Sequence, residues 1–238
     1  MSISNGSKPL ALLIPGLDGT GHLFYRQVET LSARYRVKAW EYHRRSRFGF
    51  QDLVRELGEG TSQEERGSIL VVGESFGGTV AMHYVLAFPE RVGSLVLINT
   101  FASYRHRTRI RVACLLAPTL RWRGARAIKS SIVDRTLAQE GIPQEDRRRY
   151  HEIIQMVDVD AYRQRLELVR DVDLRPRLEE IKVPTFVFAS GRDKIVPSRA
   201  EGQLLAAAIP KAELHEFPQA GHALLLTPGF ALADYVFQ

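Results

Sequence analysis

The chain has one cysteine, Cys114, in 238 residues. A single thiol closes no internal disulfide and builds no thiolate metal cluster, so neither cross-links nor a zinc ribbon can supply stability. Long apolar runs are also missing. None approaches the roughly 18 residues that a membrane span needs. The start, MSISNGSKPLALLIPG, lacks a basic leader and a small-residue cleavage site, so no secretory signal is read and a reducing cytoplasm is the expected setting. No repeat and no low-complexity linker occurs. Helix-turn-helix, RNP and zinc patterns are absent, and the basic residues lack interleaved aromatics, which argues against nucleic acid as a partner. No Cys, His or carboxylate cluster has ligand spacing, so no metal or organic cofactor is expected.

What is present describes a globular chain. Apolar residues make up 45% and charged residues 25%, and the length suits one compact unit. The net charge of +6 is unevenly spread. Residues 103–177 hold 17 Lys/Arg against 10 Asp/Glu, a surplus of 7, while the rest holds 16 against 17. The basic character therefore belongs to the middle of the chain.

Short apolar runs alternate with helical patterns. Strands are expected at 9–15, 36–42, 68–73, 94–99, 185–190 and 213–217, with helices near 22–34, 48–58, 76–88, 199–208 and 223–237. That rhythm implies right-handed crossovers and a mostly parallel sheet of about six strands, covered by helices on both faces. The unbroken Val/Ile/Leu character of 69–72 and 95–98 suits strands buried on both sides. The alternation stops after Asn99. From 102 to 178 the chain is helix-compatible and Arg-rich, and Val183-Pro184 restarts the sheet. The expected organisation is an α/β core of 1–101 and 179–238 with a helical cap inserted at 102–178. Its apolar residues Ile110, Val112, Leu115, Leu116, Leu120 and Trp122 are read as helix-packing faces, with the lining of an acyl pocket as the alternative, and Cys114 as a small buried hydrophobe.

Gly73-Glu74-Ser75-Phe76-Gly77 satisfies G-x-S-x-G between an expected strand and an expected helix. A nucleophile on so sharp a turn needs unusual dihedrals and small neighbours, which the glycines supply. The following helix directs its first N–H groups at the anion formed after attack. Serine alone is a weak nucleophile, so a base and a group to orient it are required. His222, in Ala220-Gly221-His222 after the last strand, is the candidate base. Asp193, in Ser190-Gly191-Arg192-Asp193 at the end of another strand, is the candidate acid; as an Asx-turn aspartate it would only shape its own loop. His22 and His43 are candidates for substrate contact, and His83 for packing. His106 and His151 belong to the insertion, and His215 to a strand. Phe76 and Leu17 are the candidate oxyanion donors, the latter in the glycine-rich loop Pro15-Gly16-Leu17-Asp18-Gly19-Thr20-Gly21. That loop lacks the lysine and spacing of a phosphate loop. Asp18 beside it would repel an anionic acyl group if its carboxylate faced the site.

PGLDG at 15–19, GESFGG at 73–78, GRDKIVP at 191–197 and AGH at 220–222 together make the chain resemble the α/β-hydrolase superfamily over nearly its whole length. PGLDGTG followed by GESFGG is similar to a microbial branch of esterase- and lipase-like hydrolases related to some acyltransferases. The resemblance implies Ser75 as nucleophile, His222 as base, Asp193 as acid and Leu17 and Phe76 as oxyanion donors. Serine at 75, where dehalogenases carry aspartate, argues against that branch. Pro15-Gly16 stands where many members have His-Gly. The expected activity is hydrolysis of a small-molecule carboxylic ester, with a thioesterase or acyltransferase on carrier-bound or lipid acyl groups as the alternative. A neutral imidazole is required, so the rate should rise through about pH 6.5. The basic cap is read first as a solvated face that keeps the protein soluble, with a docking surface for an anionic partner as the sharper alternative.

Overall fold

The computed structural model describes residues 8–42, 47–64, 66–105, 107–116, 125–137, 139 and 141–237. Six strands form one all-parallel sheet: β1 (Leu10–Ile14), β2 (Arg36–Ala39), β3 (Ile69–Glu74), β4 (Val92–Ile98), β5 (Thr185–Ser190) and β6 (Ala212–Phe217). Their order is β2-β1-β3-β4-β5-β6. The chain leaves β1 in one direction for β2, then crosses to the other side for β3. Strand order thus reverses between β1 and β3, the position at which open α/β sheets form their ligand crevice, outside the carboxyl ends of the strands. Ile14 is in register with Gly73, so the loop after β1 and the turn after β3 start side by side.

Burial follows from that topology. Every residue of β1 and β3 is buried. Along β1, Leu10, Leu12 and Ile14 join the core on one face, while Ala11 and Leu13 join the core on the other. A two-residue side-chain period therefore feeds two separate cores, as expected of a sheet covered on both sides. The outermost strand β2 has only one partner, and its residues are largely exposed.

The core helices are α1 (Tyr25–Leu31), α2 (Phe50–Gly60), α3 (Phe76–Ala87) and α8 (Ser198–Ala208). α3 is apolar around its whole circumference because it is buried behind the sheet and under α2. The helix expected over 223–237 is not continuous. Leu224–Leu226 form one 3-10 turn, and only α9 (Ala233–Val236) is α-helical. Pro228 cannot donate to a helix ladder, and Gly229 sits at φ 76°, so the chain turns between the two pieces.

Between β4 and β5 lie α4 (Arg107–Leu116), α5 (Ala125–Thr136), α6 (Gln144–Met156) and α7 (Val159–Asp171), the cap-like insertion. The Asp158 side chain accepts from Ala161 N at 2.9 Å and starts α7. A third apolar cluster seats the cap on the core. Val133, Leu137, Ile142, Tyr150 and Ile153 pack with Leu23 and with Ala223 and Leu226 beyond β6. Asp146 of α6 adds a buried polar tie, accepting from both Tyr25 and Arg26 of α1. The packing expectation for the first cap helix is corrected for three residues. Ile110 is buried, but Val112, Leu115 and Leu116 are 50%, 77% and 54% exposed. α4 rests on α7 by one side, and these three share its outward face. Leu120 and Trp122 lie outside the described residues. Among the described residues no helix is long and apolar enough to cross a membrane.

Candidate active site

Ser75 occupies the turn between β3 and α3 at φ 54°, ψ −122°. Few non-glycine residues adopt positive φ, and here the surroundings enforce it. Ser75 N donates to Ile98 O at 2.9 Å, and Ser75 O accepts from Thr100 Oγ1 at 2.6 Å and from Gly78 N at 3.0 Å. The glycines have steric reasons to be there. A Cβ on Gly73 would sit 2.5 Å from Gly77 O, and one on Gly77 would collide with the Ile14 carbonyl. The turn is pressed against β1, and only bare backbone fits.

His222 and Asp193 reach the same point from the ends of β6 and β5. His222 Nε2 lies 3.1 Å from Ser75 Oγ, and Nδ1 lies 2.7 Å from Asp193 Oδ2. Asp193 Oδ1 accepts from Ile195 N and Val196 N at 2.8 and 3.0 Å. One oxygen of the aspartate thus shapes its loop and the other faces the imidazole. Asn99, at φ 45°, ties the two loops together. Its Nδ2 donates to His222 O at 2.8 Å, and its Oδ1 accepts from Ser190 N at 3.0 Å and Ser198 Oγ at 2.6 Å. Sequence reasoning used Asn99 only as a boundary; an asparagine closing a strand in a sheet crevice was the available signal.

The loop after β1 faces Ser75, with Gly16 beside its Cβ. Among the described residues neither Leu17 N nor Phe76 N donates to a protein acceptor. The loop is held from outside. Tyr42 donates to Pro15 O at 3.0 Å, and Arg165 of α7 donates from Nε to Leu17 O at 2.9 Å and from Nη2 to Asp18 O at 3.3 Å. Arg165 is 2% exposed despite its charge. Gln139 of the cap likewise accepts from Gly221 N, next to His222, and donates to Thr227 Oγ1 at 2.8 Å. Neither cap residue had a sequence signature. An arginine or glutamine in a polar helical stretch reads as surface until packing buries it.

Asp18 does not point freely into the crevice. Its Oδ2 accepts from Thr20 N and Oγ1 at 2.9 and 2.7 Å, which folds the carboxylate onto its own loop. His22 is exposed and shares none of the Ser75, His222 and Asp193 contacts, and His43 lies outside the described residues, as does His106. His83 stacks on Phe50 at 4.3 Å, and burial, with Arg177 nearby, pushes its pKa down to about 4. It packs as a neutral ring. His215 stacks on Phe188 within β6, and His151 stays in the cap near Asp134.

Glu74 precedes Ser75 and was not singled out by its sequence position. Its Oε1 is 3.5 Å from His222 Nε2. Burial pushes this carboxyl up, His222 opposes that, Asp18 and Asp193 reinforce it, and the result is about 7. For His222 burial alone would lower the pKa, but the Asp193 charge and hydrogen bond, together with Glu74, raise it to about 9.

A family model described as "Alpha/beta hydrolase family" matches residues 11–235. The chain belongs to the alpha/beta hydrolase family. As a hydrolase of this family it is 25% identical over 92% of its length to "Putative carbamate hydrolase RutD" of Serratia proteamaculans, covering 86% of that protein. It is 26% identical over 97% of its length to pimeloyl-[acyl-carrier protein] methyl ester esterase of Vibrio atlanticus, covering 93% of that protein. Among solved structures, the esterase EaEST from Exiguobacterium antarcticum superimposes with a TM-score of 0.82 at 18% identity. That match covers 93% of this hydrolase and 87% of that chain, and it shows the shared fold.

Proposed function

We propose that this hydrolase cleaves carboxylic esters through an acyl-enzyme on Ser75. The observation that carries the reading is the single line of contacts Ser75 Oγ, His222 Nε2, His222 Nδ1 and Asp193 Oδ2, at 3.1 and 2.7 Å, on a serine held at positive φ. In the reactive form the imidazole keeps its proton on Nδ1 toward Asp193, and the Nε2 lone pair takes the Ser75 proton as Oγ attacks the ester carbonyl. The carbonyl oxygen becomes an anion held by Leu17 N–H and Phe76 N–H. Nε2 then gives its proton to the leaving alkoxide, and the alcohol departs. Water, activated by the same Nε2, attacks the acyl-Ser75 carbonyl, and collapse returns the serine proton and releases the carboxylic acid. Residues 1–101 and 179–238 form the catalytic core in this reading, and 102–178 the cap that closes over it.

A second reading changes the leaving group and keeps the same machinery: a thioesterase or acyltransferase working on carrier-bound or lipid acyl groups. The exposed aliphatic face of α4 beside the exposed Arg111 favours it, since such a face suits docking of a larger, anionic acyl donor. The relative that acts on a pimeloyl-[acyl-carrier protein] methyl ester supports the same direction.

The test is a fluorophosphonate label followed by peptide mass spectrometry, with a panel of esters, thioesters and carbamates on purified protein. The expected adduct is on Ser75, with esters turned over fastest. An adduct elsewhere, or none, overturns the nucleophile; turnover of carbamates or thioesters alone overturns the ester assignment.

A further inference from the structure

Triad chemistry does not require a carboxylate between Gly73 and Ser75. Glu74 closes β3, is 8% exposed, and turns its side chain into the catalytic crevice. One oxygen lies 3.5 Å from His222 Nε2, the nitrogen that faces the serine. The other lies so close to Gly16 that a Cβ there would be 2.6 Å from it. The carboxylate therefore fills the space between the base, the nucleophile and the loop after β1. Among the described residues its ion-pair partner is His222.

The surrounding charges supply no alternative cation. Asp193 stands on the far side of the imidazole, and Asp18 comes from the β1 loop. Tyr42, which follows β2, and Tyr150 of α6 are buried phenols whose own pKa values are raised well above the ordinary range, by burial first. Arg165 of α7 is committed to the carbonyls of Leu17 and Asp18. The imidazole is thus flanked by a carboxylate at each nitrogen. Protonated, it can donate to Asp193 from Nδ1, while at Nε2, which faces Ser75 Oγ, its positive charge lies 3.5 Å from the Glu74 carboxylate. Neutral, it presents a lone pair to an anion in a water-poor crevice, where such a contact is costly.

We infer that Glu74 is a second carboxylate partner of the base, holding a proton on His222 Nε2 in the resting enzyme. The inference rests on His222 being the base of the proposed reaction. That proton must pass to water or buffer before Nε2 can accept the one on Ser75. Glu74 is then a tuning residue that acts through His222 and sets the pH window of the reaction. The elevated values of both groups, about 9 for His222 and about 7 for Glu74, agree with the geometry. On this inference the transition lies above the ordinary imidazole value of about 6.5, because the proton is held by two anions and its loss is displaced toward alkaline pH.

The test compares wild type with Glu74→Gln, which keeps the shape and removes the charge. The acid limb of kcat/KM should move down by about one pH unit, making the variant on the order of tenfold faster at pH 7, where the rate follows the small deprotonated fraction. Glu74→Ala should shift the limb the same way, which separates charge from any hydrogen bond of the new amide. A limb that superimposes on wild type, or moves up, overturns the inference. The His222 ring, followed by ¹⁵N NMR in the wild-type protein, should titrate near the alkaline value; titration below about 7 overturns it as well. This arm needs no substrate and no variant. Absence of ester turnover would count against the proposed reaction alone, and the histidine titration would still decide whether Glu74 holds the proton on the ring.

Discussion

Arg165 Nε, carried by the cap helix α7, donates to the carbonyl of Leu17 at 2.9 Å in the loop that offers a candidate oxyanion donor. The same guanidinium donates to Asp18 O and lies under Gly19, where a Cβ would sit 2.8 Å from it. Leu17 C=O thus faces the cap helix. Seating of the cap and shape of the loop are therefore one event. Arg165→Met should strand two buried carbonyls. Hydrogen bonds from a charged donor contribute about 1.5–3 kcal/mol each, so a loss of about 3 kcal/mol in urea unfolding is expected. In activity, kcat should fall by on the order of 10²-fold with KM changed far less, as for loss of an oxyanion contact. Arg165→Lys should recover part of kcat. A loss confined to KM would place Arg165 in substrate binding instead.

Ser75→Ala removes the acyl acceptor, and kcat should fall by roughly a millionfold. Asp193→Asn is more informative. Its remaining oxygen can still accept from Ile195 N and Val196 N, so the loop persists, but an amide facing Nδ1 favours the wrong imidazole tautomer. The expected kcat loss is on the order of 10⁴, with thermal stability nearly retained. Equal losses of activity and stability would mean that Asp193 acts chiefly as a loop anchor.

Gly77→Ala should be among the most damaging single-methyl additions. The new Cβ would collide with the carbonyls of Ile14 and Pro15, both backbone and both in the crevice. Relief requires moving α3 away from β1, which also moves Phe76 N. A loss of about 3 kcal/mol or more, with no soluble folded protein as the extreme outcome, is expected by circular dichroism and yield. Gly229→Ala gives the contrast: nothing lies near its Cβ, and only the strain of φ 76° should appear, about 1 kcal/mol.

The four central strands were legible because each is a short apolar run that a parallel sheet buries, and the edge strands β2 and β6, more polar and more exposed, were legible from their place in the alternation. The tight turn at Ser75 was legible because its glycines are sterically obligatory and close in sequence. His222 and Asp193 could be placed because each follows a strand end directly. The single helix expected after β6 failed because apolar spacing continues through Leu224–Leu226 while Pro228-Gly229 interrupts it. Arg165, Gln139 and Glu74 were missed for one physical reason. Their roles depend on burial against residues far away in the chain, and a polar side chain carries no mark of its future burial. Val112, Leu115 and Leu116 failed in the opposite sense, as aliphatics that the fold leaves exposed.

Stability should carry the signature of the paired acids around His222. Glu74 is held at about 7 and His222 at about 9, both above their ordinary values. At these two sites the folded chain binds more protons than the unfolded chain, so their contribution to stability falls as pH rises, while His83, held at about 4, acts in the opposite sense below about 6.5. The Glu74 contribution is fully present below about 4.5 and lost by about 7. That of His222 is present below about 6.5 and lost as pH passes 9. Thermal unfolding at unit steps from pH 5 to 9 should show a Tm that declines above about pH 6.5, where the opposing titration of His83 is complete. Glu74→Gln should flatten the part below pH 7.5; a constant difference between wild type and variant over that range would mean that Glu74 titrates alike in both states.

The cap supplies the last expectation, on the second reading of function. Residues 103–129 carry eight Lys/Arg and no acid. Two of these, Arg121 and Arg123, lie outside the described residues, and Arg105 is drawn back to the core by Glu201, 3.2 Å away on α8. Arg111 stays exposed on the outward face of α4 with Val112, Leu115 and Leu116. Exposed cations of this kind act on encounter rates, and their reach is about 10 Å at 0.1 M salt. An anionic, carrier-borne acyl donor would feel them, and a small neutral ester would not. Its kcat/KM should therefore fall several-fold between 0.05 and 0.5 M salt, about the span over which the screening length halves or more. That for a neutral short-chain ester should stay level. Reversing Arg107, Arg109 and Arg111 to Glu should abolish the difference while sparing the Arg105–Glu201 contact. Leu115→Ser, which removes apolar area without charge, should weaken turnover of the carrier-borne substrate at every salt concentration. If both substrates respond alike to salt and to the reversals, the cap charge is a solvated face and the small-ester reading stands alone.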